Sequence, residues 1–317
     1  MHHILMLLFC TLLLSGCDSG PEAAMTLTQG PSYSATLSAD GKLAMVSTDK
    51  NGVQLWQLAP LSLKYQWQQD SDSNAVIATA LSDNAGYAAS LSRESVALWR
   101  LSDGSAVGWW SLPSAGQALA VADNGTLLVG LSDGSVMSMA PGQKSLIQFL
   151  GHSEKINAVA LTANGSLALS AGNDGQAILW QTATGQPLRS IEMDSRVLMV
   201  ALSPDGTLGF ASDSTANAII WDNQSGALLS KLAIKRRQMT FSSARFSADN
   251  TLLMTGTPAR EVQVWDSVEG KLVNQWQVAA SPKPNIKSAV VYSVAGPLAR
   301  SQQFISISSN GLVEFWQ

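Results

Sequence analysis

The chain has 317 residues, and 19 Lys and Arg stand against 23 Asp and Glu, which gives a formal net charge of −4. This balance argues against a protein that binds nucleic acid mainly through charge, since such proteins carry basic surfaces. Hydrophobic residues make up 46% of the chain, which excludes a disordered protein. Two Cys and three His are too few for a disulfide scaffold or a Cys/His metal centre. We therefore predict no cofactor, no metal and no nucleic-acid partner.

The first predicted element is the apolar segment at residues 4–14, ILMLLFCTLLL. Its eleven residues are too few to cross a bilayer, which takes about 20, but they have the length of the apolar part of a signal peptide. The sequence Leu14-Ser15-Gly16-Cys17 follows and resembles the lipobox of bacterial lipoproteins. The resemblance implies cleavage of residues 1–16 and lipidation of Cys17. An ordinary secretory signal is the alternative.

Asp18, the residue after the lipobox, gives an indication of the membrane in which the protein is anchored. In lipoproteins of the enteric type, an Asp in the place of Asp18 resembles the signal for retention in the inner membrane. We therefore expect a lipid-anchored protein on the periplasmic side of a bacterial cell envelope. The inner membrane is favoured and the outer membrane stays open. Residues 17–23 form the linker, which reaches at most about 25 Å.

A repeat of about 42 residues fills the rest of the chain. An apolar phrase ends on Trp in six copies, and Met139 stands in the place of Trp in a seventh. The other six positions are Trp56, Trp99, Trp180, Trp221, Trp265 and Trp316. A turn tetrapeptide such as Ser-Ala-Asp-Gly41 or Ser-Pro-Asp-Gly206 precedes each copy. Seven units at one period indicate a repeat architecture.

A third marker lies about eleven residues after each Trp position, where Trp67, Trp110, Leu150, Ile191, Leu232 or Trp276 occurs. Each repeat then divides into four short runs of small, β-branched and apolar residues, bounded by Gly, Asn, Asp or Pro. No segment after the signal peptide has helical periodicity. The sequence predicts an all-β fold: a seven-bladed β-propeller over residues 24–317, with four-stranded antiparallel blades.

The repeats resemble the WD-repeat family. Gly151-His152, followed by Asp174 and Trp180, matches the family's Gly-His and Trp-Asp pattern, and Trp221-Asp222 and Trp265-Asp266 carry its naming dipeptide. The other repeats diverge, so the family's partners do not carry over. The resemblance implies that His152, Ser170, Asp174 and Trp180 form a structural tetrad. A Ser-His-Asp catalytic triad is the competing interpretation, but no oxyanion element is evident.

The last repeat ends at Gln317, one residue after its Trp, and so lacks an outer strand. The segment at residues 24–29 precedes the first inner strand at nearly the spacing of the other outer strands. We predict that it completes the last blade and closes the ring, since an open sheet edge would be a liability.

Three of the connections between repeats are long and carry charge. The first contains Asp70 and Asp72, the second Lys235-Arg236-Arg237, and the third Lys283 and Lys287. Function usually resides in loops on a rigid scaffold, so these residues are the candidate sites for a protein partner. The alternative is that these loops merely tolerate insertions.

We expect a monomeric, non-catalytic scaffold for protein–protein interaction. A propeller that binds a small ligand in its central channel is the first alternative, and a propeller enzyme is the second. The predicted inner strands are mostly small and aliphatic, with Arg245 as their only charge, which favours the scaffold.

Overall fold

The computed structural model describes residues 20–28, 30–69, 75–142, 146–280, 288–299 and 301–317, and its regular elements there are 28 β-strands in seven four-stranded antiparallel sheets. Blade 1 holds β2 (Ser32–Leu37), β3 (Leu43–Thr48), β4 (Gly52–Leu58) and β5 (Leu61–Trp67). Blade 2 holds β6 (Ala78–Leu81), β7 (Tyr87–Leu91), β8 (Ser95–Arg100) and β9 (Ala106–Ser111). Blade 3 holds β10 (Gly116–Val121), β11 (Leu127–Leu131), β12 (Val136–Met139) and β13 (Ile147–Phe149).

The later blades follow the same plan. Blade 4 holds β14 (Ile156–Leu161), β15 (Leu167–Gly172), β16 (Gln176–Gln181) and β17 (Pro187–Glu192). Blade 5 holds β18 (Val197–Leu202), β19 (Leu208–Asp213), β20 (Ala218–Asp222) and β21 (Leu228–Lys231). Blade 6 holds β22 (Ser243–Phe246), β23 (Leu252–Gly256), β24 (Glu261–Asp266) and β25 (Leu272–Gln277). Blade 7 holds β26 (Val291–Ala295), β27 (Phe304–Ser308), β28 (Leu312–Trp316) and the N-terminal strand β1 (Ala23–Thr26).

The inner strands contact one another in ring order, and β26 returns to β2, so the seven sheets surround one axis. The predicted all-β, seven-bladed propeller is confirmed. The described residues include no helix with the length and apolar character needed to span a membrane.

The repeated tetrapeptide forms the turn between the first and second strands of a blade. In blade 5 the Ser203 hydroxyl donates to Asp205 at 2.7 Å and accepts the N–H of Leu208 at 2.8 Å, where the second strand begins. Gly206 has φ +80°, a left-handed conformation that favours glycine. The Ser-x-Asp-Gly pattern therefore encodes its own turn, and it recurs in the hydrogen bonds of Ser38, Thr162 and Ser247.

The ring closes through β1, as the sequence predicted. This strand pairs antiparallel with β28, with Met25 opposite Val313. Hydrogen bonds from Glu22 N to Phe315 O and from Leu27 N to Gly311 O extend the ladder at both ends. The strand covers residues 23–26 rather than the predicted 24–29, and Leu27 continues into the core.

Outer strands pack against the repeat Trp of the following blade. Trp67 stacks on Trp99 with ring centroids 5.0 Å apart, and Trp276 stacks on Trp316 at 6.0 Å. In blade 3 the residue in this position is Phe149, which stacks on Trp180 at 4.6 Å. The aromatic residues therefore join neighbouring blades, which share no backbone ladder.

Phe149 corrects one sequence assignment, which gave Leu150 this position. Phe149 pairs with Val136, whereas Leu150 is 73% exposed. The outer strands of blades 1, 2, 4, 5 and 6 reach this position past a register shift at the repeat Trp, as at Trp180. The pairing of β12 with β13 has no such shift, so the equivalent residue comes one position earlier.

Candidate functional sites

The propeller has two faces, which we name by their connections. The hairpin face holds the turns between the first and second strands and those between the third and fourth strands, such as the turns at Gly206 and Gly185. The loop face holds the connections between blades and the turns between the second and third strands, such as that at Gly175. The predicted tetrad and the basic segment at residues 235–237 belong to the loop-face side.

The four side chains of the predicted tetrad form one hydrogen-bonded row across blade 4. Trp180 Nε1 donates to Ser170 Oγ at 3.2 Å, and Ser170 Oγ lies 2.8 Å from His152 Nε2. His152 Nδ1 lies 3.0 Å from Asp174 Oδ2. Asp174 also accepts the backbone N–H groups of Ser153 and Gln176, so its carboxylate fixes both the inter-blade loop and the tight turn.

The chemistry of the row requires a neutral histidine. Burial lowers the pKa of His152, and the opposing effect of Asp174 does not overcome it. A neutral ring donates from Nδ1 to Asp174 and accepts the Ser170 proton at Nε2. The Ser170 oxygen then accepts the indole N–H of Trp180. Every polar atom of the row has a partner, which makes it a rigidifying network.

Ser170, His152 and Asp174 are hydrogen-bonded in the order of a Ser-His-Asp catalytic triad. However, Ser170 is fully buried, and its oxygen already accepts the Trp180 N–H. A nucleophile needs contact with its substrate, and Ser170 has no exposed surface for one. The geometry therefore fits a structural role for this row.

Blades 2, 6 and 7 keep part of this row. The indole N–H groups of Trp99, Trp265 and Trp316 donate to Ser90, Thr255 and Ser306 at 2.8 to 2.9 Å. In blades 1 and 5 the corresponding positions are Val46 and Ala211, and the buried N–H groups of Trp56 and Trp221 have no partner among the residues that the structure describes. Sequence reasoning identified the full row and missed these partial ones, although the Ser or Thr nine or ten residues before each Trp is visible in the sequence.

The basic segment Lys235–Arg237 occupies the connection between blades 5 and 6, and its side chains are exposed. Arg236 Nη1 lies 3.2 Å from Glu261 Oε1. Lys235 and Arg237 make no ion pair within the part of the chain that the structure describes. The segment therefore presents two unpaired cations beside one paired guanidinium.

Buried apolar residues hold this connection in place. Leu232 precedes the basic segment, Met239 and Phe241 follow it, and all three are buried in the cluster around Phe210 and Trp265. Phe241 meets the ring of Trp265 edge to face at 6.5 Å. The connection is therefore anchored by buried residues on both sides of the basic segment.

The other predicted site residues lie outside the described residues. These are Cys17 and Asp18 near the N-terminus, Asp70 and Asp72 between blades 1 and 2, and Lys283 and Lys287 between blades 6 and 7. Within the described residues, no group of three or more His, Cys, Asp and Glu side chains is placed to hold a metal ion.

Comparison with known proteins agrees with the geometry of blade 4. Residues 143–181 match the family model described as WD domain, G-beta repeat, a stretch that contains the whole tetrad. This match and the seven-bladed ring together support a WD-repeat propeller, a fold that is commonly a scaffold for protein interaction. No curated protein matches the chain at a significant level.

Proposed function

We propose that this chain is a membrane-anchored periplasmic lipoprotein whose propeller serves as a non-catalytic scaffold for a protein partner. The observation that carries the scaffold role is the basic segment Lys235–Arg237, fixed on the loop face by Met239 and Phe241. An acidic surface on the partner is its chemical complement. Charges of this kind guide encounter and fix the register of a complex more than they add raw affinity.

The proposed anchor is a lipidated Cys17 after removal of residues 1–16. Its support is the lipobox resemblance and the short distance along the chain from Cys17 to β1. Because β1 is antiparallel to β28, Ala23 lies beside Phe315 at the end that belongs to the hairpin face. An anchor a few residues earlier would turn the hairpin face towards the bilayer and the loop face away from it. Asp18 favours the inner membrane in this proposal, and the outer membrane stays open.

The test is a crosslinked pull-down from membranes with the full chain. A Lys235→Glu/Arg237→Glu variant reverses the two unpaired charges, and Lys64→Glu on the exposed strand β5 is the matched control. We expect one stoichiometric partner that is lost in the double variant and kept in the control. Retention of every partner by the double variant would contradict the role of this loop.

A Cys17→Ser variant tests the anchor separately. We expect it to leave the membrane fraction and to lose its acyl groups by mass spectrometry. A chain that stays in the membrane fraction without Cys17 would contradict the lipoprotein proposal while leaving the scaffold role open.

A further inference from the structure

The central channel has an unusual wall in blade 6. Arg245 on β22 pairs with Met254 on the second strand of its blade. In each of the other six blades, the residue equivalent to Met254 pairs with one residue of the first strand, which lies at the same level of the ring as Arg245. All six of those residues are small: Thr36, Ala80, Ala120, Ala160, Ala201 and Ala295. A single long cationic side chain therefore lies at a level where the rest of the ring leaves space.

The space is large enough for a ligand. The channel encloses a cavity of about 570 Å³, and Arg245 is part of its wall. Ligand pockets in proteins commonly range from about 300 to 1,000 Å³. The residues one position closer to the loop face are mostly apolar and also line the cavity, among them Leu119, Val159, Val200 and Val294. The wall of the cavity therefore combines this apolar level with polar side chains, and its charged residues among those described are Arg245 and Asp83.

The guanidinium of Arg245 is held but not neutralised. Nη1 donates to the backbone oxygen of Leu37 at 3.1 Å, and the remaining donors have no partner among the described residues. No carboxylate oxygen of those residues lies within 4.0 Å of it. Asp83 also lines the cavity and acts on the guanidinium electrostatically from beyond that distance. Burial lowers the pKa of Arg245, because the guanidinium has lost solvation that an anion would replace.

Other polar groups along the channel already have partners. The Tyr292 hydroxyl donates to Ser32 O at 3.2 Å, and Asn157 Nδ2 donates to Val197 O at 2.9 Å. Thr79 Oγ1 lies 3.0 Å from Ser34 Oγ. These three groups stabilise the ring itself, whereas Arg245 keeps guanidinium donors without a partner among the described residues.

We propose that the channel binds an amphipathic monocarboxylate, whose carboxylate pairs with Arg245 and whose aliphatic tail lies along the apolar wall towards the loop face. An arginine binds a carboxylate through charge-assisted and often bidentate hydrogen bonds, which are the strong class. The apolar wall removes an aliphatic tail from water. This site is independent of the basic loop and of the proposed scaffold role.

Octanoate is the probe, and octanamide is its uncharged counterpart with the same tail. Binding is measured by equilibrium dialysis with the full chain in lipid nanodiscs, and empty nanodiscs give the blank. We expect octanoate to bind the native protein at least ten-fold more tightly than octanamide. We also expect acetate to compete only at concentrations at least ten-fold higher than octanoate. Equal binding of octanoate and octanamide, equal competition by acetate, or no binding would each overturn the proposal.

Variants distinguish the effect of the Arg245 charge on octanoate binding from the effect of the space in the channel. Arg245→Met should weaken octanoate at least ten-fold and remove the preference over octanamide, whereas Arg245→Lys should keep part of it. Ala160→Leu keeps the charge and fills the channel at the same level, so it should also weaken octanoate. Lys64→Met removes an exposed cation on the outer strand β5, away from both proposed sites, and should leave octanoate binding unchanged. Thermal melting of each variant verifies folding. Native octanoate affinity in folded Arg245→Met would overturn the assignment.

Discussion

The equivalent positions Ser170 and Ala211 allow a reciprocal test of the indole hydrogen bonds. Each lies between a Val and an Ile across the sheet: Ser170 pairs with Val159 and Ile178, and Ala211 pairs with Val200 and Ile219. Both are fully buried. Removing the hydroxyl in blade 4 (Ser170→Ala) and adding one in blade 5 (Ala211→Ser) therefore change hydrogen bonding with little change in packing.

Ser170→Ala leaves two buried polar atoms without a partner, Trp180 Nε1 and His152 Nε2. Each such atom costs about 1–3 kcal/mol, so we expect the free energy of unfolding to fall by about 2–6 kcal/mol. Ala211→Ser gives the N–H of Trp221 an acceptor. A hydrogen bond contributes about 1 kcal/mol net, so we expect a gain of that size.

The assay is equilibrium unfolding in urea, followed by Trp fluorescence, with Ser62→Ala on the exposed face of β5 as the control. The control should shift the midpoint very little. The reasoning is refuted if Ser170→Ala unfolds with the midpoint of the control, or if Ala211→Ser destabilises the protein by more than about 1 kcal/mol.

Three further predictions concern the ring and its pH dependence. Phe149→Ala removes the stack on Trp180 and should cost about 3–5 kcal/mol in urea unfolding, whereas Leu150→Ala should cost less than 1 kcal/mol. Deletion of residues 20–28 opens blade 7 and should lower the melting temperature sharply in calorimetry; an unchanged value would contradict closure by β1. Burial lowers the pKa of His152, so the imidazole binds a proton less readily in the folded protein than in the unfolded chain. The contribution of neutral His152 to stability is therefore complete above about pH 6.5 and decreases as the pH falls below that value. Melting temperatures from pH 7 to 5 should decline less steeply in His152→Gln, and equal slopes would contradict the assignment.

Much of the fold could be read from the sequence because its signals are local. The Ser-x-Asp-Gly turn is built from hydrogen bonds within six residues, as between Ser203, Asp205 and Leu208. Repetition of such turns and of the strands between them determines the number of blades. The tetrad residues were implied by the resemblance to the WD-repeat family, whose Gly-His and Trp-Asp pattern occurs within this one repeat.

The outer strand of blade 3 shows where local reading fails. Counting eleven residues from Met139, which stands in the place of the repeat Trp, leads to Leu150. The residue that packs against the next blade is instead Phe149, because the pairing of β12 and β13 has no register shift. Whether a strand pair contains such a shift depends on how its side chains fit the neighbouring blade. The stack of Phe149 on Trp180 is a contact between two repeats, and no single repeat encodes it.

The sequence by itself determined the seven blades, their turns and the closing strand, because these rest on short-range patterns that recur at one period; the hydrogen-bonded row of blade 4 followed from its resemblance to the WD-repeat family. Only the tertiary structure decided that, among the described residues, the indole N–H groups of Trp56 and Trp221 have no acceptor and Arg245 has no carboxylate partner at a level of small residues. Those features depend on which side chains of different repeats meet across a blade boundary or across the channel. These contacts between repeats form only once the ring has closed.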